Sequence, residues 1–310
     1  MNHSNLPIQF SKYGASILNL SRIFLTIDEG SKMPTIDSLQ EQLNVARGTV
    51  QNSLKYLKEI KAIEIISRGK LGSFIVKKNM KILLETAGID FLLGAMPLPY
   101  SKRYEGLSTA IVNSIGKKFG LRIVLSYMLG ANTRLNMLEN DRCDFAICSL
   151  YSAKKAIENN LYNISIVSEL GEYSYLSNHC FVFRKGLEPI IKDGYKLALD
   201  KNSMDQHLLT KKYVGNRKVQ YINMEYNKIL NSLEKNEIDC ALWNLDEIKE
   251  RNLNLKYKII DEENKDDTIA TFVVSGKKPE IKEILKKSIN KEELVAIQND
   301  VMNSKFLPSY

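Results

Sequence analysis

A chain of 310 residues is long for one domain and comfortable for two, and a hydrophobic fraction of 44% supports at least one sizeable core. The formal charge is +8 and uneven: the first 80 residues hold 11 Lys/Arg against 6 Asp/Glu, the other 230 hold 33 against 30, and an N-terminal excess of this kind points to a polyanionic partner. No signal peptide opens the chain and no apolar run approaches the ~20 residues that span a bilayer, so a cytoplasmic protein with no membrane partner is expected.

In chain order, GASILNLSRIFLTI (14–27) predicts an apolar-rich helix stopped at Gly30, and a second helix runs from Pro34-Thr35 through Leu43. Asn44-Val45 makes a tight turn into a third helix ending near Glu59, whose Val50, Leu54 and Leu57 recur at i, i+4 and i+7. AIEIIS (62–67) and SFIVKK (73–78) read as two strands joined by the basic turn RGKLG. Three helices followed by a hairpin is the order of a winged helix-turn-helix, whose third helix packs with one face and enters the major groove with the other. Arg47 fits a guanine or a phosphate, Gln51 or Asn52 fits an adenine, and Thr49 and Lys55 fit the backbone. Gly48 allows close approach, and Arg68 and Lys70 at the hairpin tip can reach a neighbouring phosphate or the minor groove. The bland alternative for this helix is an ordinary amphipathic element with a wet face.

The stretch MPTIDSLQEQLNVARGTVQNSLKYLKEIKAIEIISRGKLGSFIV resembles the DNA-binding domain of GntR-like bacterial regulators: Pro-Thr, Leu-x-x-x-Leu, Val-x-Arg-x-Thr-Val and a Gly-Ser-Phe wing. It departs from that pattern at four places. Ala46 stands where a Ser or Thr cap is usual, Asp37 at a basic position, Gln51 at a common arginine, and Lys61-Ala62 where a glycine precedes the hairpin. A missing cap forfeits about 1 kcal/mol, and fewer cations predict weaker, less salt-sensitive DNA binding.

Residues 79–90 read as a connector helix or linker, after which strands and helices alternate. Strands are predicted at 91–98, 121–129, 143–150, 164–170, 179–185, 195–200, 219–224, 239–244, 257–261 and 268–275. Helices are predicted at 107–120, 132–140, 152–160, 203–213, 225–236, 279–288 and 291–303. The alternation implies α/β architecture with mostly parallel sheets. Two stretches echo each other, DFAIC and DCALW, each an Asp and an apolar run after a helix ending in Glu-Asn-Asp or Lys-Asn-Glu. A two-lobed, type 2 periplasmic-binding-protein-like domain fits, with a ligand between the lobes at the carboxyl ends of strands.

Four loops are candidates for that cleft. GAMPLPYSKRYEG (94–106) offers Pro97, Tyr100, Ser101, Lys102 and Arg103; Ser149 follows CDFAIC. Ser203, Asp205 and Gln206 open a helix in a capping-box pattern whose free N–H groups suit an anion. Trp243, Asn244 and Asp246 follow a strand. Each has a plain structural alternative as a turn, a cap or a core tryptophan. The effector is expected to be a small molecule, with an anion among the candidates.

GAMPLPYSKRYEGL, NSMDQHLLT, EYNKIL and ALWNLDEI, with the GTVQNSLKYL helix and the GKLGSFI wing, resemble the YhfZ-type bacterial transcriptional regulators over essentially the whole chain. The resemblance implies a winged helix joined to an effector-binding, type 2 periplasmic-binding-like domain. The chain then divides into residues 1–80, binding double-stranded operator DNA, and 81–310, binding the effector. In the second part lobe 1 covers 88–180 with 270–310 and lobe 2 covers 181–268. A homodimer is expected, because a palindromic operator needs two recognition helices about one DNA turn apart.

No catalytic residue, metal site or cofactor is expected. The chain carries no GxSxG, HExxH or P-loop, and Cys143, Cys148, Cys180 and Cys240 make no CxxC pair and sit in or beside apolar runs. An enzyme with a DNA-binding appendage would have to draw on Cys148 or Ser149 with His179, since only His3, His179 and His207 occur. A transport binding protein would leave the first 80 residues unexplained. The remaining alternative keeps the DNA-binding head and fills the cleft with the protein's own side chains.

Overall fold

The computed structural model describes residues 11–260 and 265–310. His3 and Asp261, the last residue of the predicted strand 257–261, lie outside them. The chain forms two compact units, residues 11–91 with 118–121 and residues 92–117 with 122–310.

In the first unit, α1 (Lys12–Thr26) starts at Ser11, whose side chain accepts from the Gly14 amide. Helix α2 (Ile36–Leu43) starts at Thr35, which accepts from Ser38, and stops at Asn44 in the left-handed region, φ 50°. A left-handed cap is how a short chain turns sharply out of a helix. Helix α3 (Arg47–Glu59) has no side-chain cap at Ala46, as its sequence predicts. Val50, Leu54 and Leu57 are buried with Leu20, Phe24, Leu25 and Leu39, so the apolar spacing faces the core. Strands β1 (Ile63–Ser67) and β2 (Ser73–Lys78) pair antiparallel across a 3-10 turn at Gly69–Leu71. Residues 79–90 are not a linker: α4 (Met80–Thr86) packs on α1, Leu83 and Leu84 are buried, and Ser21 and Thr86 share a 2.7 Å hydrogen bond.

The second unit holds two five-stranded sheets. Its first half runs β3 (Phe91–Met96), α5 (Lys102–Ser114), β4 (Arg122–Tyr127), α6 (Ala131–Glu139), β5 (Phe145–Ser149), α7 (Leu150–Glu158) and β6 (Ile164–Glu169). Then come β7 (His179–Phe183), β8 (Lys196–Leu199), α8 (Met204–Val214), β9 (Gln220–Asn223), α9 (Ile229–Glu234), β10 (Cys240–Asn244), α10 (Leu245–Glu250) and β11 (Lys256–Ile259). Strand β12 (Ala270–Ser275), α11 (Pro279–Ser288) and α12 (Lys291–Met302) end the chain. One sheet has the order β4-β3-β5-β12-β6 and the other β9-β8-β10-β7-β11.

The sheets are mixed, which corrects the expectation of mostly parallel ones. Strand β12 runs antiparallel to β5 and β6, and β7 runs antiparallel to β10 and β11. The alternation of helices and strands could not reveal this, because each returning strand comes from the far end of the opposite lobe's segment. Three element limits also move. Helix α5 begins five residues before the predicted 107, the helix predicted at 225–236 splits into a 3-10 turn at Tyr226–Lys228 and α9, and the loop predicted after Trp243 is helix α10.

The paired motifs explain themselves as one device used twice. Asp144 Oδ2 accepts from the Leu93 amide and Asp239 Oδ2 from the Lys196 amide, each 2.8–2.9 Å away on the parallel neighbour strand. Each aspartate thereby sets the register of β5 on β3, or of β10 on β8. Each following strand is wholly buried and ends in a helix cap, Ser149 for α7 and Asn244 for α10.

Candidate DNA-facing helix and ligand cleft

On α3 the residues opposite the buried stripe are in water: Arg47, Gly48, Gln51, Asn52 and Lys55 are exposed and Thr49 is half-buried. The Arg47 guanidinium is paired with Asp37 on α2. Both side chains are more than half exposed, and such pairs contribute about 0–1 kcal/mol, so the arginine can change partners easily. At the wing, Arg68 lies over the Phe74 ring, 4.6 Å from its centroid, and Lys70 is exposed. The structure thus gathers Arg47, Gln51, Asn52 and Lys55 on one helical face, and the wing carries Arg68 and Lys70.

The second unit contains a cavity of about 90 Å³ between its two sheets, enough for several waters or a small molecule. Of the residues named from sequence, Pro97, Tyr100, Ser203, Asp205, Gln206, Trp243 and Asn244 line it. Ser101, Lys102, Arg103, Ser149 and Asp246 do not. Ser101 and Ser149 are helix caps: their hydroxyls accept from the Tyr104 and Ser152 amides. The Lys102 side chain is exposed and donates to Ser304. Arg103 pairs with Asp246 at 3.0 Å, both side chains nearly buried, and also donates to the Tyr173 carbonyl. The capping box at 203–206 is only half formed. Ser203 accepts from the Gln206 amide, but the Gln206 side chain turns inward to the Leu242 carbonyl and the Asp200 amide.

Asp205 crosses from one lobe to the other. Its Oδ1 accepts from Ser149 Oγ and Ser152 Oγ, both at 2.7 Å, at the first turn of α7. Burial raises its pKa above the usual carboxylate value, with His179 and the two serines pulling the other way. Nearby, His179 Nδ1 is 2.8 Å from Asp267 Oδ2. Tyr226 stacks on Trp243 at 3.7 Å and on Tyr100 at 5.8 Å, and its own hydroxyl donates to Glu247.

The cavity also uses residues the sequence reading passed over, Tyr104, Arg134, Tyr175, Asp200 and Tyr226, and His179, which that reading had weighed only as a catalytic base. Arg134 is almost fully buried. It donates to the Ile147 and Met128 carbonyls, both at 2.9 Å, and to Tyr175 Oη at 3.0 Å. One signal could have found it: it interrupts the apolar positions Ala131, Leu135 and Leu138 of its helix, where a charge has no business unless its partners are inside. Burial also pushes the Tyr175 hydroxyl up to about 12 and Tyr104 and Tyr226 well above the usual phenol value.

The nucleophile–base pair considered from sequence is not assembled. The Ser149 hydroxyl donates to Asp205, His179 Nδ1 faces Asp267, and burial pushes the Cys148 thiol up to about 12. All four cysteines are buried and unbridged. Among the described residues no cluster of His, Cys, Asp and Glu could hold a metal, and no helix is long and apolar enough to cross a membrane.

A winged helix-turn-helix followed by a two-lobed α/β domain of periplasmic-binding type is the class these features define. A helix-turn-helix domain model matches residues 28–75, and the model of the YhfZ C-terminal domain matches residues 79–310, so the chain belongs to the YhfZ family. The chain is 28% identical over 302 residues to an uncharacterized YhfZ protein of Escherichia coli K12, covering 96% of this chain and 98% of that one. It is similar to the crystal structure of YhfZ from Shigella flexneri, with a TM-score of 0.61 and 28% identity over 75% of this chain and 98% of that one. An ancestral arginine-binding protein bound to arginine shares the fold of the second unit, with a TM-score of 0.52 and 16% identity over 70% of this chain and 98% of that one.

Proposed function

We propose that this chain is a DNA-binding transcriptional regulator, not an enzyme, whose cleft takes a small-molecule effector that modulates operator binding. The observation that carries the reading is α3: one face is buried on Val50, Leu54 and Leu57, and the other offers Arg47, Gln51, Asn52 and Lys55 to solvent. A helix that only stabilised the head would have no reason to group an arginine, two amides and a lysine at the spacing base edges require. Residues 1–80 act as the DNA-binding head and 81–310 as the effector domain, with α4 at the junction packed on the head's α1 and lobes at 88–180 plus 270–310 and at 181–268. The active species is a homodimer on a palindromic site. The effector acts by binding one state of the cleft more tightly than another, since a ligand of equal affinity for both shifts nothing.

The test is selection of genomic DNA fragments by the purified protein, followed by titration of the selected site with Arg47→Ala and Gln51→Ala. Arg47→Ala should weaken binding at least tenfold and flatten its salt dependence, and Gln51→Ala should relax base preference. Unchanged affinity in both at moderate salt would remove α3 as the reading helix. A second reading, in which the cleft is filled by the protein itself, is favoured by one observation: Asp205, Asp246 and Glu250 bridge the lobes directly. Ligand-dependent change in melting temperature across a metabolite panel separates the two readings.

A further inference from the structure

Lobe 1 offers three seats for negative charge along the cleft, and lobe 2 fills all three. Asp205 takes the two hydroxyls at the start of α7. Glu250 Oε2 takes the Lys102 amide at the start of α5, at 2.8 Å. Asp246 Oδ2 takes the Arg103 guanidinium at 3.0 Å and also the Ser177 amide at 2.9 Å. A free anion would have to displace a carboxylate tethered beside its own seat, and tethering gives that carboxylate a large effective concentration. The arginine and the helix start that the 94–106 loop could have offered an anion are therefore taken.

What the cavity leaves open has the opposite sign. Its charged lining is Arg134, Asp200 and Asp205, together with the His179 ring held by Asp267. Both Asp200 oxygens are occupied, by the Asn202 amide at 2.9 Å and the Tyr226 amide at 3.1 Å. Asp205 Oδ2 has no hydrogen-bond partner among the described residues, although Asp205 is only 6% exposed. That oxygen is not sealed off, unlike Trp243 Nε1: it opens on the cavity, where a ligand N–H can replace water as its donor. Tyr100, Tyr226 and Trp243, stacked on one another, form an apolar wall of the same cavity. Arg134 uses three of its N–H groups on protein acceptors, and a guanidinium has five. Trp243 Nε1, buried at the same wall, has no acceptor.

Resting on the reading that the cleft binds a small molecule, we propose that this ligand carries a protonated amine seated on Asp205 Oδ2 and one acid group facing the remaining Arg134 donors. The effector is thus a compact zwitterion and not a simple anion. Asp205 is its specificity-determining residue.

Trp243 is the sole tryptophan of the chain, so its emission reports the cavity without a label. The experiment titrates full-length protein with five probes of one three-carbon frame: alanine and β-alanine, propylamine, propionate and propionamide. One of the two zwitterions should change Trp243 emission saturably with at least tenfold higher affinity than propionate or propionamide. Asp205→Asn should erase that preference, while Glu234→Gln, at an exposed residue outside the cavity lining, should keep it. If Asp205→Asn does not fold, the ranking of the five probes on the wild type decides alone. Binding of propionate or propionamide as tight as either zwitterion overturns the amine assignment and leaves the cleft a ligand site. A flat response to all five, with no shift in melting temperature, overturns both.

Discussion

Lys61 sits at φ 57°, in the region where an L side chain crowds its own backbone. Glycine is the residue that resemblance to GntR-like heads expects there, and the backbone angle is the reason. Lys61→Gly should stabilise the head by about 0.5–1 kcal/mol, the strain relieved less the entropy of a freer unfolded chain. Denaturant titration of the full chain checks it, and a loss of stability would mean the lysine makes a compensating contact. Asp205 gives a prediction in pH. Its native pKa is raised, so only between the unfolded and native values does the native state hold a proton that the unfolded chain has already released. The associated stability is fully present below about 4, the unfolded value, and is lost as pH rises through the native one. Asn keeps an acceptor for Ser149 and Ser152 but has no charge to desolvate. The melting temperature of Asp205→Asn should therefore gain on wild type as pH climbs from about 4 towards neutral, with Arg134, Asp200, His179 and Asp267 present in both proteins. A gap that stays flat with pH would contradict it. Residue types were easier to read than residue partners. Ser149, Asp205, Asn244 and Asp246 stand out in the sequence at strand ends and helix starts, where local rules apply. Their partners are 56 residues apart for Ser149–Asp205 and 143 for Arg103–Asp246, and no local pattern carries that information.

At the scale of elements, α3 joins two weaknesses that look alike in sequence and differ in consequence. Ala46 leaves the first turn without a side-chain acceptor, and Ala46→Ser should stabilise the head by about 1 kcal/mol. Gly48 lies inside the same helix, and an added Cβ there would meet nothing within 4 Å. Gly48→Ala should therefore stabilise the fold by about 0.5–1 kcal/mol and at the same time weaken DNA binding, if the glycine is there for close approach. Thermal melts and DNA titrations on the same variant test both halves; gain in both would mean the glycine serves no groove contact. Every strand of the second unit was legible to within two or three residues, because apolar runs of that length bounded by turns leave few alternatives. Helix α10 was not. It is six residues long, opened by an asparagine cap, and too short for periodicity to declare itself.

At the scale of the molecule, the two lobes repeat one strand order, and the repeat was visible only through its two aspartates. Backbone also joins the lobes beside the cavity. Gly130, at φ 74°, has the Asn202 carbonyl where a Cβ would stand, and the Asn132 amide donates to that same carbonyl at 3.0 Å. Gly130→Ala should act as a wedge, weakening ligand-induced changes in Trp243 emission by tenfold or more while leaving the DNA-binding head's own stability unchanged. Equal ligand response in the variant would show that this junction need not close.

Strand β12 lies between β5 and β6, and all six of its residues are buried. The whole of β7 to β11 is synthesised before it, and that segment begins and ends side by side, with the Ile260 amide donating to the His179 carbonyl at 2.9 Å. On the ribosome the later-made lobe is thus complete first, while the earlier-made one waits with a gap in its sheet for residues 270–275. Nascent chains stalled with residue 260 just clear of the exit tunnel should protect the 179–260 segment from protease and leave β5 and β6 open to it.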